Sequence, residues 1–237
     1  MRMRLKKWAR PELAVCPFFI GSAPEQKGRW GEAFPREQPL WAEMGCGKGG
    51  FLSAWALSCP EVNFLGIDMI SDMLGVARRR IQADFDQAGR PVDNLRLTCY
   101  DISRLEECMG GGDRLERIFI NFCNPWNKPK HYKRRLTHPR QLEKYRSLLK
   151  DEGEIWFKTD DPTLFRHSLQ YFQEMGFAQI YQTDDLHQSG FSPNVETEHE
   201  IMYSQQGMPI HFAIVRKAAL PEEKFVHLSL EKTSQPS

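Results

Sequence analysis

The sequence has no excess of one charge, no long apolar run and no regular cysteine spacing. It carries 32 Lys and Arg residues against 31 Asp and Glu residues, so any attraction to a polyanion must come from local clusters of charge. Nowhere do about 18 apolar residues follow one another, and no signal peptide is recognisable at the basic start. The six cysteines form no Cys-x-x-Cys pair, which argues against a zinc site or a disulfide framework. These absences predict a cytoplasmic protein without a membrane partner or a metal.

Length and composition are those of one ordinary globular domain. The chain has 237 residues, of which 41% are hydrophobic and 27% are charged. From residue 40 onward, short apolar runs alternate with longer helical patterns, which is typical of a parallel sheet covered by helices. We therefore divide the chain into a basic arm and irregular lead-in at residues 1–39, one domain at residues 40–217 and a polar tail at residues 218–237.

The periodicity predicts an α/β fold with seven strands. The strands are expected near Leu40–Met44, Asn63–Asp68, Leu95–Tyr100, Arg117–Phe122, Glu154–Thr159, Phe177–Thr183 and Ile210–Val215. The helices are expected near Phe51–Ser58, Ile70–Ala88, Pro139–Leu149 and Pro162–Met175. The large rings of the lead-in and first strands are interpreted as packing residues; these are Phe18, Phe19, Trp30, Trp41 and Trp55.

A glycine-rich turn joins the first predicted strand to the first predicted helix. It reads Glu-Met-Gly-Cys-Gly-Lys-Gly-Gly over residues 43–50. Glycines let a ligand lie against the backbone at the carboxyl edge of the sheet, where open α/β folds bind their ligands. The turn also satisfies G-x-G-x-x-G, so a dinucleotide oxidoreductase remains an alternative. Glu43 favours S-adenosylmethionine instead, because a carboxylate repels a pyrophosphate and suits ammonium and sulfonium charges.

Two more carboxylates follow predicted strands and suit the same ligand. Asp68 ends the second strand and would accept hydrogen bonds from ribose hydroxyls. Asp101 comes directly after the third strand and would flank an adenine. The local sequence is equally typical of a helix cap at Asp101, before Ile102 and Ser103, and the two roles stay open.

The loop after the fourth predicted strand combines prolines, rings and cations. It spans residues 121–136 and reads Asn-Phe-Cys-Asn-Pro-Trp-Asn-Lys-Pro-Lys-His-Tyr-Lys-Arg-Arg-Leu, with five Lys or Arg residues between positions 128 and 135. Cations of this kind bind phosphates, and Trp126 and Tyr132 can stack on a base taken out of its helix. A charge run is more often a solvated surface, so only the position beside the glycine turn favours nucleic-acid binding.

Four segments resemble the bacterial tRNA (guanine-N7)-methyltransferases. They are the E-x-G-x-G-x-G turn, the N-F-x-x-P-W-x-K-x-x-H-x-K-R-R-L-T stretch, the Thr159-Asp160 pair and Thr197-x-x-Glu200. The resemblance runs in order from about residue 28 to Lys217, and the proline-tryptophan-basic block is its most specific part. It implies a Rossmann-like class I methyltransferase with a seven-stranded, mostly parallel sheet and helices on both faces. It also implies methylation of guanine N7 in the variable loop of tRNA, with S-adenosylmethionine as donor.

The resemblance assigns individual residues to three tasks. Those implied to face the methyl donor are Glu43, Gly45, Gly47, Asp68, Asp101 and Asn124. Those implied to meet the target nucleotide are Lys128, Asp160, Thr197, Glu198, His199 and Glu200. Those implied to meet the rest of the tRNA are Lys130, His131, Lys133, Arg134 and Arg135.

Asn124 stands where the family commonly has an aspartate regarded as catalytic. Guanine N7 carries an in-plane lone pair and no proton, so attack on a methyl group requires positioning and not a general base. Asn124 can position by hydrogen bonding, and Asp160 or Glu200 can stabilise the charge of the product ring. We therefore predict that Asn124 is the catalytic residue, in an in-line transfer in which no side chain takes a proton from N7.

Local sequence offers structural alternatives to several of these roles. Thr197-x-x-Glu200 is a capping-box pattern that starts a short helix, and Asp160 can also partner the helix that begins near Pro162. His131 and His199 have no second metal-ligand type at useful spacing. The N-terminal cations form a hypothetical phosphate-binding arm; they are Arg2, Arg4, Lys6, Lys7 and Arg10.

Three other functions remain as alternatives on sequence grounds. The chain could be a tRNA-binding module that has lost turnover through Asn124 and keeps only a cofactor pocket. It could also methylate another RNA site or a small molecule, although the basic loop argues against a small molecule. A dehydrogenase is disfavoured by Glu43. We expect a monomer or a homodimer.

Overall fold

An eight-stranded sheet runs through the protein, which the computed structural model describes over residues 5–221. The strands are β1 (Phe19–Ile20), β2 (Leu40–Met44), β3 (Asn63–Asp68), β4 (Leu95–Cys99), β5 (Leu115–Asn121), β6 (Leu149–Thr159), β7 (Phe177–Thr183) and β8 (His211–Lys217). Their order is β1-β4-β3-β2-β5-β6-β8-β7. The strands from β1 to β6 pair in parallel, and β8 lies antiparallel between β6 and β7.

Helices cover both faces of this sheet. They are α1 (Ala9–Ala14), α2 (Gly50–Ser58), α3 (Ser71–Gln87), α4 (Pro139–Leu148), α5 (Pro162–Glu174) and α6 (Glu198–Ser204). Short 3₁₀ helices form at Ala23–Gln26, Trp30–Ala33, Ile102–Glu107 and Pro129–Arg134. None of the helices within residues 5–221 combines the length and apolar composition that a bilayer-spanning helix requires.

Side chains along the central strands point alternately to the two faces of the sheet, and a hydrophobic core lies on each face. On β5, Phe119 packs with the rings and aliphatic side chains that α2 and α3 bring to one face. Its neighbours Ile118 and Ile120 point to the other face, where Leu142 of α4 and Phe165 of α5 pack. Successive strand residues point to opposite faces, so a strand that is apolar at every position is buried on both sides.

The predicted fold class is confirmed, and the strand count is corrected from seven to eight. The additional strand, β1, pairs through Phe19 and Leu97, and two residues are too few to show a periodicity. The lead-in is also more regular than expected, because α1 packs on α3 there. Arg2 and Arg4 of the predicted arm, and residues 222–237 of the predicted tail, lie outside the described residues.

The contact between α1 and α3 depends on a glycine. A Cβ added at Gly75 would lie 2.5 Å from Ala9 Cβ and 2.9 Å from Ala9 Cα. We expect Gly75→Ala to cost about 1–3 kcal/mol by overpacking, although alanine has the better helix propensity. Gly50→Ala is the matched control, because the added Cβ meets only the flexible Arg80 guanidinium, at 3.4 Å. Urea unfolding of both variants measures the difference, and equal stability would contradict this account of the packing.

The parallel strands bring their carboxyl ends to one edge of the sheet. The neighbours of β2 are β3 on one side and β5 on the other, so the chain connections diverge there and leave a crevice at that edge. The loops after β2, β3, β4 and β5 line it, and β6 ends at the same edge. These loops carry most of the residues selected from the sequence.

Candidate active site

The glycine-rich turn after β2 is bound tightly to β3. The backbone N–H groups of Gly45 and Cys46 both donate to the carbonyl oxygen of Ile67, at 2.8 and 3.1 Å. Gly45 has φ +88° and Gly47 has φ +53°, backbone conformations that side chains with a Cβ rarely adopt. The N–H of Gly47 donates to Asp68 Oδ2 at 3.0 Å, so the turn and the second carboxylate form one unit. The turn therefore presents open backbone to the crevice.

Glu43 is the most perturbed carboxyl group of the site. It is 3% exposed, and Asn121 Nδ2 donates to its Oε1 at 2.9 Å. Its other oxygen, Oε2, is buried and has no hydrogen-bond partner. Burial raises the pKa of Glu43 to about 8. A buried, unsatisfied carboxylate oxygen costs free energy unless a cation or a donor reaches it.

Glu43 lines a small cavity that can admit such a group. The cavity has a volume of about 120 Å³, and its opposite wall comes from α6. Its lining includes the glycine turn, Phe51, Met73 and residues 197–199. The unpaired Oε2 beside this cavity fits the ammonium end of an amino-acid moiety, which supplies the missing donor.

A larger cleft adjoins the small cavity and shares Gly45, Asn121 and Phe122 with it. Its volume of about 710 Å³ is within the usual range for small-ligand sites. Asp68 and Asp101 both line this cleft, as the sequence predicts. Asp101 Oδ1 also accepts from the N–H of Ser103 at 2.8 Å, so the cap at this position is confirmed and its side chain still borders the cleft.

Asp68 is held in place by the backbone on both of its oxygens. Besides the Gly47 contact, its Oδ1 accepts from the N–H of Ile70 at 2.8 Å. Burial raises the pKa of Asp68, and the two backbone donors oppose that shift. The carboxylate is thus fixed at the end of β3, where the cleft begins.

The start of the loop after β5 has an unusual backbone. Phe122 and Trp126 have φ values of 48° and 44°, a region that non-glycine residues seldom occupy. Between them, Asn124 Oδ1 accepts from the N–H of Trp126 at 3.0 Å, which leaves its amide NH₂ for the cleft. The Phe122 ring stacks on His199 of α6, with centroids 5.7 Å apart. The predicted catalytic residue therefore lies in a loop fixed at both sides.

The basic part of the same loop forms one rim of the cleft. Lys128 precedes the 3₁₀ helix of residues 129–134, and Lys130, Lys133 and Arg134 are exposed. Lys133 and Arg134 also line the larger cleft. The Arg134 guanidinium lies 5.1 Å from the Trp126 ring centroid, and the His131 ring is 5.7 Å from the same ring. The predicted proximity of these cations to the carboxyl edge of the sheet is therefore confirmed.

Arg135 does not lie on this rim, which corrects its predicted role. It is 1% exposed. Its Nε donates to the Pro125 carbonyl at 2.7 Å, its Nη1 lies 2.8 Å from His167 Nδ1, and its guanidinium stacks 3.7 Å from the Tyr132 ring centroid. Arg135 therefore stabilises the loop from its buried side, and its side chain is not accessible to RNA. The Tyr132 ring is occupied by the same contact.

The segment that begins α6 covers the small cavity. Thr197 and Glu200 form the predicted capping box, which the structure confirms. Glu198 pairs with Lys48 of the glycine turn at 2.9 Å and with Arg80 of α3 at 3.2 Å. Thr197, Glu198 and His199 line the cavity opposite Glu43. Residues predicted to meet the target nucleotide thus stand across from those predicted to hold the donor.

Glu200 is buried too deeply for a direct nucleotide contact, which corrects that prediction. It is 0% exposed. Its Oε2 accepts from Lys158 Nζ at 2.7 Å and its Oε1 from Asn194 Nδ2 at 2.9 Å. Within residues 5–221, Glu200, His187 and Glu196 lie close enough together to hold a metal ion. The Glu200 carboxylate is already paired with the Lys158 ammonium, which argues against a metal there.

Asp160 follows β6 and is half-buried at the same edge. The capping role considered for it belongs to the next residue, since Asp161 Oδ1 accepts from the N–H of Leu164 at 2.7 Å. Burial, and then the charge of Asp160, raises the pKa of Tyr203 on α6. The charge of Asp160 also contributes to the raised pKa of Cys123, so Asp160 lies near both the loop after β5 and α6.

Sequence reasoning missed Asn121 and Lys158. They are register partners on β5 and β6, and each directly follows a run of apolar residues, at positions 118–120 and 155–157. A polar residue at the carboxyl end of a buried strand could have selected both.

Comparison with known proteins agrees with this arrangement. Residues 37–213 match a family model described as "Putative methyltransferase". The tRNA (guanine-N(7)-)-methyltransferase of Clostridium beijerinckii is 50% identical over 217 residues, which is 92% of this chain and 99% of that protein. Proteins of the same name from Acetivibrio thermocellus and Desulfitobacterium hafniense are 46% and 44% identical; they cover 92% and 90% of this chain and 100% and 97% of their own lengths.

Solved structures share the fold at much lower identity. An antibiotic-related methyltransferase superposes with a TM-score of 0.53 at 14% identity, covering 92% of this chain and 97% of its own. A variant of the 16S rRNA (adenine(1408)-N(1))-methyltransferase from Catenulisporales acidiphilia, solved with its cosubstrate SAM, gives 0.51 at 12% identity and covers 84% and 93%. These similarities show the Rossmann-like methyltransferase fold. Together with the relatives at 44–50% identity, they establish that the chain belongs to the tRNA (guanine-N(7)-)-methyltransferase family.

Proposed function

We propose that this chain methylates N7 of a guanine in the variable loop of tRNA, with S-adenosylmethionine as the donor. The reaction is the one for which its relatives at 44–50% identity are named. The observation that supports it most directly is the unpaired, buried Oε2 of Glu43, a residue that lines a small cavity next to a larger cleft. That combination suits a ligand with a cationic amino-acid end and a nucleoside end.

The residues of the site fit S-adenosylmethionine group by group. Glu43 would accept hydrogen bonds from its ammonium group, Asp68 from its ribose hydroxyls, and Asp101 would flank its adenine. Gly45 and Gly47 leave room along the backbone between these carboxylates. When bound, the donor supplies an electrophilic methyl group on a sulfonium centre.

The chain contributes position and charge to the transfer. The N7 lone pair forms the new N–C bond while the electrons of the breaking S–C bond go to sulfur, so no proton moves. Asn124 orients the guanine through its amide NH₂, since its Oδ1 is used by Trp126. The guanine ring becomes cationic, and the Asp160 carboxylate stabilises that charge as it develops. The stacked rings of His199 and Phe122 supply a flat surface beside the small cavity, and Phe122 also borders the larger cleft.

The exposed cations of the loop would bind phosphates of the tRNA backbone next to the cleft. They are Lys128, Lys130, Lys133 and Arg134. We expect Lys130→Ala and Arg134→Ala each to weaken tRNA binding and to reduce the slope of log K against log salt by about one. Lys27→Ala is the control, because Lys27 is exposed beside the Gly110–Gly112 loop, away from the carboxyl edge. Filter-binding titrations at several salt concentrations measure the slopes. Slopes equal to that of the parent would exclude this rim from the interface.

The described part of the N-terminal arm lies at the other side of the cleft. The backbone N–H of Lys6 donates to Asp72 Oδ2, and Arg10 Nε donates to Ser71 Oγ, beside Ile70 of the cleft. We propose that Lys7 and Arg10, which are exposed, extend the phosphate-binding surface to this side. We further propose that the enzyme acts in the cytoplasm as a monomer or a homodimer.

The position of the target is tested with two tRNA transcripts. The first has its natural guanine in the variable loop, and the second has adenine at that place and is otherwise identical. We expect labelled methyl transfer to the first transcript and none to the second. Equal transfer to both would place the target outside the variable loop.

A further inference from the structure

Lys158 is a deeply buried cation at the carboxyl edge of the sheet. It lies on β6 and is 2% exposed. Its ammonium makes three hydrogen bonds, to Asn194 Oδ1 at 2.6 Å, to the Val195 carbonyl at 2.9 Å and to Glu200 Oε2 at 2.7 Å. An ammonium has three donors, so all of its capacity is directed to one short segment, residues 194–200.

That segment is the outer wall of the site. Thr197, Glu198 and His199 line the cavity opposite Glu43, and His199 stacks on Phe122 at the start of the Asn124 loop. Glu200 itself accepts from Lys158, from Asn194 Nδ2 and from the Thr197 backbone, and none of its surface is exposed. Its carboxylate therefore stabilises residues 194–200 and does not contact a ligand.

Lys158 also lies next to the donor side of the site. Its register partner on β5 is Asn121, whose side chain donates to Glu43. The ammonium lies 5.5 Å from the centroid of the Phe51 ring, which lines the same cavity as Glu43. A single buried side chain thus connects the strand that supports the donor pocket to the segment that faces it.

We propose that Lys158 is a positioning residue for the methyl transfer, and that it acts by fixing residues 194–200 against the target base. This inference rests on the proposed function. It predicts that loosening the segment slows the chemical step while donor binding is largely retained, because misplacement by about 1 Å can cost about a hundredfold in rate.

The main test uses the double variant Lys158→Met/Glu200→Gln, which removes both charges together and avoids an unpaired buried carboxylate. We expect a folded protein whose single-turnover methylation rate, with both substrates saturating, is 10- to 100-fold lower than that of the parent. The affinity for S-adenosylmethionine should fall far less than in Glu43→Gln, because Glu43 is retained and only the Lys158 charge that lowers its pKa is lost. Hydrogen exchange of residues 194–204 should be faster in this variant.

A pair of milder variants keeps the test valid if the double variant does not fold. Asn194→Gln keeps an amide that can accept from Lys158 and donate to Glu200, whereas Asn194→Ala removes both contacts from a half-buried position. We expect Asn194→Ala to slow single-turnover methylation and Asn194→Gln to retain more of the parent rate. Arg117→Met is the control for a general loss of stability, because Arg117 forms a half-buried ion pair with Glu154 toward the other end of the β5–β6 pairing, away from the carboxyl edge. Its single-turnover rate should equal that of the parent.

The outcomes separate this inference from the proposed function. A parent protein that methylates tRNA, together with variants of equal single-turnover rate and equal hydrogen exchange, would overturn the role of Lys158. A parent that does not methylate tRNA would contradict the proposed function. Hydrogen exchange at residues 194–204 would then still report whether Lys158 fixes the segment.

Discussion

Replacing Glu43 with glutamine is expected to weaken the binding of S-adenosylmethionine about a hundredfold. The carboxylate has one oxygen bound to Asn121 and one buried oxygen without a partner beside the small cavity. A charge-assisted hydrogen bond in such a place contributes about 1.5–3 kcal/mol, and glutamine offers no charge to the ligand ammonium. Isothermal titration calorimetry measures the loss. Glu116→Gln is the control, because that carboxylate pairs with Lys150 at the surface, away from the site.

The same residue predicts a pH dependence of donor binding. Burial raises the pKa of Glu43 to about 8 in the ligand-free protein, so the carboxyl group is mostly protonated at pH 7. A cationic ligand requires the ionised form, and binding therefore releases a proton. Affinity should rise by up to tenfold per pH unit between pH 6 and 8, and should level off above the pKa.

The stability of the ligand-free protein should change in the opposite direction. The folded-state pKa of Glu43 is raised above its ordinary value, so its contribution to stability is complete below about pH 4.5 and is lost as the pH rises toward 8. The increase in Tm caused by S-adenosylmethionine should consequently be larger at pH 8 than at pH 6. In the Glu43→Gln variant, the pH dependence of this Tm increase should come from the titration of the ligand's own amino group alone. Identical pH profiles for this variant and the parent would contradict the assignment of Glu43.

Replacing Asn124 with alanine is expected to slow methyl transfer about a hundredfold, and replacing it with aspartate less than about tenfold. Alanine loses both the amide that faces the cleft and the Oδ1 that accepts from the N–H of Trp126, so the loop is released as well. Aspartate keeps that acceptor and can stabilise the cationic product ring. Single-turnover rates at saturating substrates measure the difference.

The Asn124 comparison also decides between positioning and proton transfer. Because N7 has no proton to lose, the parent rate should be independent of pH once Glu43 is ionised and the donor is saturating. A parent without turnover whose Asn124→Asp variant is active would support the alternative of a tRNA-binding module that lost catalysis at this residue. Equal rates for the parent and Asn124→Ala would remove Asn124 from the mechanism.

Local signals predicted the first strands and the glycine-rich turn between them well. The glycine turn, Glu43 and Asp68 lie within two strands and one turn, where the alternation of apolar residues and the glycines already determine the backbone. Since the carboxyl ends of parallel strands meet at one edge, their proximity followed from the predicted fold class. The bounds of β2, β3 and β7 agree with those predicted from the sequence.

The target side depends on contacts between distant segments, which the sequence does not display. Lys158 and Glu200 belong to different elements, and only the pairing of β6 with β8 and the return of the chain to α6 bring them together. Arg135 has the same sequence environment as its exposed neighbour Arg134. It is buried because the Pro125 carbonyl, His167 and the Tyr132 ring converge on it. A charge run identifies a loop but not which of its members faces solvent.

The central claim is tested most directly by incubating the purified protein with unmodified tRNA and labelled S-adenosylmethionine, and by analysing the nucleosides of the product. We predict that the label is recovered as 7-methylguanosine. Label in a different methylated nucleoside, or no label although both substrates bind, would contradict the claim.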